Sequence, residues 1–176
     1  MKPAANIIAY PTESFFALGV KATDAVAIRQ LFRVKHREPG KPIALVAGDL
    51  KQVKKFFVLS KVEERLARRY WPGSLTMLLK PKAAIAARAL GARKIGVRVP
   101  AHAGARRVAS TLGVPITATS ANISGQPPTK SAMKVKHDFP GILMVSGRCG
   151  RQSKPSTLID VRGTSIHIIR PGAVHV

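Results

Sequence analysis

Pro115-Ile-Thr-Ala-Thr-Ser-Ala-Asn-Ile-Ser-Gly125 opens as a β-rich run and ends abruptly in hydroxyls, an amide and a glycine. Ahead of it, Ala103 to Leu112 reads as a helix that feeds the strand Ile116–Thr119. Behind it, Ser131 is placed to cap another short helix. Helix, strand and polar loop in succession mark an α/β chain, and they put the loop where a sheet ends.

Working outward, the same alternation recurs. Ile7–Tyr10 reads as a strand that Pro11 breaks, and Asp24 caps a helix to about Lys35 with Ala25, Ile28, Leu31 and Phe32 on one face. Ile43–Ala47 is a buried-strand candidate, and Asp49 caps a second helix with Leu50, Val53 and Phe56 or Phe57 inward. Ser60-Lys-Val-Glu63 has capping-box spacing, so a third helix starts there and stops before Trp71-Pro72-Gly73. Leu75–Leu79 and Ile95–Val99 read as strands, and Ala83–Leu90 is ambiguous. Ile142–Val145, Thr157–Val161 and Ile166–Ile169 close the chain with strands in hairpin-like order. The expected fold is mixed α/β: a twisted open sheet of parallel and antiparallel strands with flanking helices, one domain over residues 1–176.

The charge is unusual. Thirty Lys and Arg stand against 8 Asp and Glu, a formal net of +22. Between Arg65 and His137 there is no acid at all. A field with so little internal neutralisation attracts polyanions and speeds their encounter. The same cations also suit a solvated, soluble surface. Apolar residues make up 45% of the chain, enough for a core in a domain of this size. The single cysteine, Cys149, excludes an internal disulfide and a zinc site built from cysteines. No stretch approaches the roughly 20 apolar residues of a membrane span, and the start of the chain is too short in apolar residues for a signal segment. A cytoplasmic protein is expected.

Four segments carry residue types that a core does not explain. Tyr10-Pro-Thr-Glu-Ser-Phe-Phe-Ala-Leu-Gly19 sets Thr12 and Glu13 just past a strand end, where ligands of α/β sheets settle. Lys35-His-Arg-Glu-Pro-Gly-Lys-Pro42 gathers Lys35, Arg37 and Lys41 in a loop held by Pro39 and Gly40. Forked Arg donors beside compact Lys charges suit a polyphosphate, and cations at a helix end equally complement its dipole. Pro115–Gly125 offers Thr119, Ser120, Asn122 and Ser124 with open backbone N–H groups, the material of a phosphate or adenine cradle. Pro155-Ser-Thr-Leu-Ile-Asp160 and Ile169-Arg-Pro-Gly172 place Ser156 and Arg170 at strand ends.

Other chemistries lack their parts. The histidines at 36, 102, 137, 167 and 175 show no metal-ligand spacing, so no metal site is expected. There is no Gly-x-Ser-x-Gly elbow, no Walker loop and no G-x-G-x-x-G. Cations, hydroxyls and backbone donors remain, a set suited to nucleotidyl transfer by positioning and charge stabilisation.

In this order the segments resemble the YrdC/TsaC family of threonylcarbamoyl-AMP synthases. The resemblance lies in Tyr10–Glu13 with Ala17–Gly19, Lys35-His36-Arg37, Trp71–Thr76, Gly96–Pro100, Thr119–Gly125, Ser156–Asp160 and Arg170–Gly172. It implies a short, single-domain form of the family and a concave positive cleft on a twisted sheet. It also implies that L-threonine, bicarbonate and ATP give threonylcarbamoyl-AMP and pyrophosphate, with Mg²⁺ carried mainly by the phosphates. The adenylate would go to a downstream threonylcarbamoyl transferase complex that modifies the adenosine beside the tRNA anticodon.

Residue by residue, the resemblance puts threonine on Thr12 and Arg98, and the triphosphate on Lys35 and Arg37 as catalytic cations. Thr119, Ser120 and Asn122 would line the nucleotide pocket, with Ser156 and Arg170 closing it and Lys41 adding charge. The basic surface suggests tRNA or double-stranded RNA as a further partner. Two rivals stand beside this reading: a YciO-like or RNA-binding protein of the same fold without synthase activity, and a carbamoyltransferase like the related domain of hydrogenase-maturation proteins.

Overall fold

The computed structural model describes residues 6–38, 41–86, 90 and 92–176. Pro39 and Gly40, expected to hold the cationic loop, lie outside the described residues, as do residues 87–89 of the ambiguous stretch. In chain order the elements are β1 (Ile8–Pro11), β2 (Phe16–Gly19), α1 (Ala25–Val34), β3 (Ala44–Val46), α2 (Leu50–Phe56), β4 (Phe57–Val58), α3 (Lys61–Tyr70) and β5 (Leu75–Pro81). They continue with β6 (Ile95–Arg98), α4 (Ala103–Thr111), β7 (Ile116–Ser120), α5 (Ala132–Asp138), β8 (Leu143–Met144), β9 (Thr157–Arg162) and β10 (Ser165–Arg170).

The helices begin where the sequence supplies caps. The Asp24 carboxylate accepts from the N–H groups of Val26 and Ala27, Asp49 accepts from Gln52, and Ser60 and Glu63 form a complete capping box. Strands form one mixed sheet in the order β10-β9-β5-β6-β3-β7-β2-β1-β8, with β4 on the outer end of β5. The pairs β1/β8, β3/β6 and β5/β9 are parallel. The mixed sheet and flanking helices are those expected from the sequence.

Two strands had no sequence signal. β2 is buried at all four positions, so it shows no alternation, and β4 is two residues long. Pro11, expected to break the strand after Tyr10, is instead its last residue, pairing with Phe16.

Register assigns every side chain to one of two faces. Leu18, Leu45, Met77, Val97 and Ile159 share a core with Ala27, Ile28, Leu31 and Phe32 of α1, Val53 and Phe56 of α2 and Ala67 of α3. The opposite face is only partly covered. There α4 packs Ala105, Val108 and Ala109 on Tyr10, Ala17, Val46 and Ile116. Further along the same face lie Ala44 opposite Ala118, Leu78 opposite Gly96, and Thr76 opposite Leu158, with no second helix over them among the described residues.

Thr117 ties β7 to β2 from inside the main core. Fully buried, it accepts the Val20 N–H on Oγ1 at 3.0 Å, and its carbonyl accepts the Tyr10 hydroxyl at 2.9 Å. Thr117→Val strands the Val20 N–H and is expected to lose about 1–3 kcal/mol by chemical denaturation. Ligand binding on the other face should be unchanged.

Candidate functional site

The uncovered part of the sheet is a cavity of about 550 Å³. Its floor is made of alternate residues from five neighbouring strands: Leu158, Thr76 and Leu78, Gly96, Ala44 and Ala118. Small residues make the depth. A Cβ on Gly96 would sit 3.2 Å from Thr76 Cγ2 and 3.7 Å from Ala44 Cβ. Polar groups stand on the walls: Ser14, Ser120, Gln152, Ser156, Lys94, Arg98 and Arg170. No Asp or Glu lines the cavity among the described residues.

Arg98 stands at the end of β6 with its side chain mostly buried. Its Nη2 donates to Glu13 Oε2 at 3.0 Å. The other carboxylate oxygen accepts the His102 N–H at 3.3 Å, where α4 begins, and the His102 ring caps Ala105. At the far end, Arg170 donates through Nε and Nη2 to the Ser156 carbonyl, at 3.3 and 2.9 Å. Ser156 Oγ lies 2.8 Å from Thr76 Oγ1, so the two hydroxyls share a hydrogen bond. Between the ends, Lys94 donates to Asp160 at 2.6 Å, and that bond holds the Asp160 carboxyl below the ordinary range. Three strand spacings of about 4.8 Å separate the strands of Arg98 and Arg170, roughly 14 Å.

Of the residues picked out by sequence, Arg98, Ser120, Ser156 and Arg170 meet in this cavity. The others stand behind its walls. Lys35 caps α1, is 2% exposed, and points its ammonium at the carbonyls of Ser120 and Asn122, the latter at 2.6 Å. Its own carbonyl accepts the Ser124 N–H at 2.8 Å, so one residue holds the loop after β7 from two sides. Burial, and next the charge of Arg37, pull the Lys35 ammonium down to about 8.

Arg37 donates to the carbonyl of Pro42, a cavity-wall residue, at 3.0 Å, and lies over the Phe32 ring. Its Nε is buried without a partner among the described residues, as is Asn122 Oδ1. The Asn122 amide donates to the carbonyls of Ile123 and Gln126, at 2.9 and 2.6 Å. Thr12 is buried in the β1–β2 turn, its hydroxyl donating to the Phe15 carbonyl at 2.7 Å. Thr119 pairs with Leu18 and alternates to the face opposite the cavity. Lys41 forms a 2.9 Å ion pair with Glu38 on the exposed surface, a contact of little energy. Sequence reasoning missed Ser14, Lys94 and Gln152 on the walls and Thr76 on the floor. Only alternation along β5, with Thr76 and Leu78 on one face, carried a usable signal.

A shallow apolar floor with hydroxyls and guanidinium groups around it can hold a flat ring and several anionic groups. A domain model of the Sua5/YciO/YrdC type, described as telomere recombination, matches residues 3–172. The chain belongs to the Sua5/YciO/YrdC family. Within that family, the threonylcarbamoyl-AMP synthase of Thiobacillus denitrificans is 37% identical over 159 residues, 89% of this chain and 85% of the relative. Pyrococcus abyssi Sua5 crystallised with L-threonine superposes at a TM-score of 0.84 with 32% identity, over 95% of this chain and 50% of that one. The chain thus spans about half of that structure. Escherichia coli YciO superposes at 0.78 with 28% identity, over 96% of this chain and 84% of that one.

Lys35→Met would leave the Ser120 and Asn122 carbonyls without their shared donor. Faster amide exchange confined to residues 120–126 is expected, with a stability loss of about 1–3 kcal/mol. Unchanged exchange there would show that the loop holds itself.

Proposed function

We propose that this chain is a threonylcarbamoyl-AMP synthase, converting L-threonine, bicarbonate and ATP to threonylcarbamoyl-AMP and pyrophosphate. The observation that carries the proposal is the cavity itself: Arg98, Ser120 and Arg170 from three strands and Ser156 just ahead of a fourth meet around one floor in a chain of this family.

Threonine binds through its carboxylate to Arg98, and Thr12 supports that end by fixing the turn that presents Ser14. Adenine lies on the floor of Ala44, Gly96 and Ala118. Ser156 and Arg170 hold the nucleotide from the β9–β10 side, and Ser120 and Asn122 from the other. Arg37 supplies a buried donor, Nε, that has no partner among the described residues. Lys35 acts from behind the loop: it draws the Ser120 and Asn122 carbonyls toward itself and adds positive potential where water is excluded.

Threonine's amine adds to bicarbonate with loss of water, giving a carbamate. A carbamate oxygen attacks the α-phosphorus as the bond to pyrophosphate breaks. The protein supplies no covalent nucleophile; it aligns two anions and stabilises the charge that leaves. With no carboxylate on the cavity wall among the described residues, Mg²⁺ accompanying ATP would be held by the triphosphate, where it neutralises phosphate charge. The product passes to a transferase acting on tRNA, and cations outside the cavity offer that RNA a surface. No helix among the described residues is long and apolar enough to cross a membrane, which fits a cytoplasmic site for this work.

Pyrophosphate release from ATP should require both threonine and bicarbonate; release without them overturns the assignment. Arg98→Ala should raise KM for threonine, and Arg170→Ala KM for ATP. Each loses a charge-assisted contact of about 1.5–3 kcal/mol, tenfold or more.

The Lys35 charge gives a separate test. Its folded value of about 8 lies below the ordinary 10.5, so the folded state sheds the proton first and stability rises with pH between the two values. Deprotonation of Lys35 therefore does not itself destabilise the fold in that window, and loss of ATP affinity that follows its titration reports loss of charge. KM for ATP should climb above about pH 8 in the parent, and Lys35→Arg should abolish that climb, because arginine stays charged.

A further inference from the structure

Among the 8 acids of the chain, Glu13 is placed against the grain. It stands behind a cavity that would receive a triphosphate, and there a carboxylate weakens anion binding. The structure nonetheless holds it firmly. The turn carrying it is closed by Thr12 N–H and Oγ1 on the Phe15 carbonyl, and by the Ser14 N–H on Thr12 Oγ1. The irregular segment beyond β8 clamps the same backbone. Gly150 N–H donates to the Thr12 carbonyl at 2.9 Å, and Gln152 N–H to the Glu13 carbonyl at 3.0 Å. A Cβ on Gly150 would fall 3.0 Å from Glu13 Cα, so only glycine lets the two chains approach.

Each carboxylate oxygen has a fixed task. Oε2 takes Arg98 Nη2, and Oε1 takes the N–H of His102 at the head of α4. With side-chain exposures of 10% for Glu13 and 16% for Arg98, the pair is screened little by water. A guanidinium with one nitrogen taken presents its remaining N–H edge in a single orientation. Without that partner it could swing to whichever anion is nearest, and a triphosphate is the more highly charged.

We infer that Glu13 is a positioning residue that reserves Arg98 for the amino-acid carboxylate and keeps it off the phosphates. The inference rests on the synthase reading and adds the device that sorts two anionic substrates within one cavity. It makes a signature that loss of structure cannot copy: removing the Glu13 charge weakens threonine without weakening ATP.

The test is calorimetric titration of the full chain with L-threonine and, separately, with ATP and Mg²⁺. Glu13→Gln should weaken threonine about tenfold or more, a charged hydrogen bond's worth, and leave ATP unchanged or tighter. In an Arg98→Ala background, Glu13→Gln should have no further effect on threonine. Should Glu13→Gln fail to fold, Glu13→Asp keeps the charge but is too short to span both partners, and the same weakening of threonine is expected. Equal threonine affinity in parent and variants overturns the proposal, as does parallel weakening of both ligands. A further loss in the Arg98→Ala background also overturns it, because Glu13 would then touch threonine directly. A parent that binds ATP but no threonine removes the synthase reading, and this proposal with it.

Discussion

Over the central strands one face of the sheet is roofed by helices and the other only in part; the rest of the molecule follows from that imbalance. The first face carries Leu18, Leu45, Met77 and Val97 and is roofed by α1, α2 and α3, which supplies the burial that drives folding. On the second face α4 seals only the part over Tyr10, Ala17, Val46 and Ile116. Beyond its reach the half-buried floor positions Ala44, Gly96 and Ala118 are small, and Thr76, Leu78 and Leu158 add the remaining bulk. Larger side chains there would fill the hollow or make it an aggregation surface. The cavity floor is therefore a consequence of register and residue size, and the flanking turns and loops add walls at Ser14, Pro42, Gln152 and Ser156.

Eight acids in a chain of charge +22 are few enough to follow individually. Asp24, Asp49 and Glu63 cap helices. Glu38, Glu64 and Asp138 make surface ion pairs of small energetic value. The remaining two, Glu13 and Asp160, each hold a cation of the cavity wall: Arg98 and Lys94. Acids are thus used where local geometry has to be fixed, and not to lower the net charge.

Much of this was legible in the sequence because it is local. Caps at Asp24, Asp49, Ser60 and Ser131 sit beside the periodic segments they start, and strands with alternation or clear flanks stand where expected. β2 escaped because its Phe-Ala-Leu-Gly is buried on both faces, which removes the period that marks a strand. The site was legible as segments but not as an arrangement. Motif order could mark Lys35, Arg37, Thr12 and Arg98 alike as ligand-facing. It could not tell that Arg98 enters the cavity while Lys35 turns its ammonium to two carbonyls behind it. Which face a residue takes depends on register across distant strands, and no local pattern encodes it. Glu13 illustrates the same limit, since its partners lie 85 and 89 positions away.

Net charge and site charge perform different work. A field of many unpaired cations reaches a Debye length of about 8 Å at physiological salt and draws in any polyanion. It cannot select a carboxylate over a triphosphate, because the more highly charged anion is attracted more strongly. Discrimination needs a cation whose direction is fixed and whose affinity for the stronger anion has been reduced. A buried carboxylate on one side of the guanidinium does both at once: it orients the free edge and lowers the local potential. Arg98 with Glu13 meets that requirement, while Arg170, bonded among the described residues to neutral oxygens of Ser156, keeps its full charge for the nucleotide.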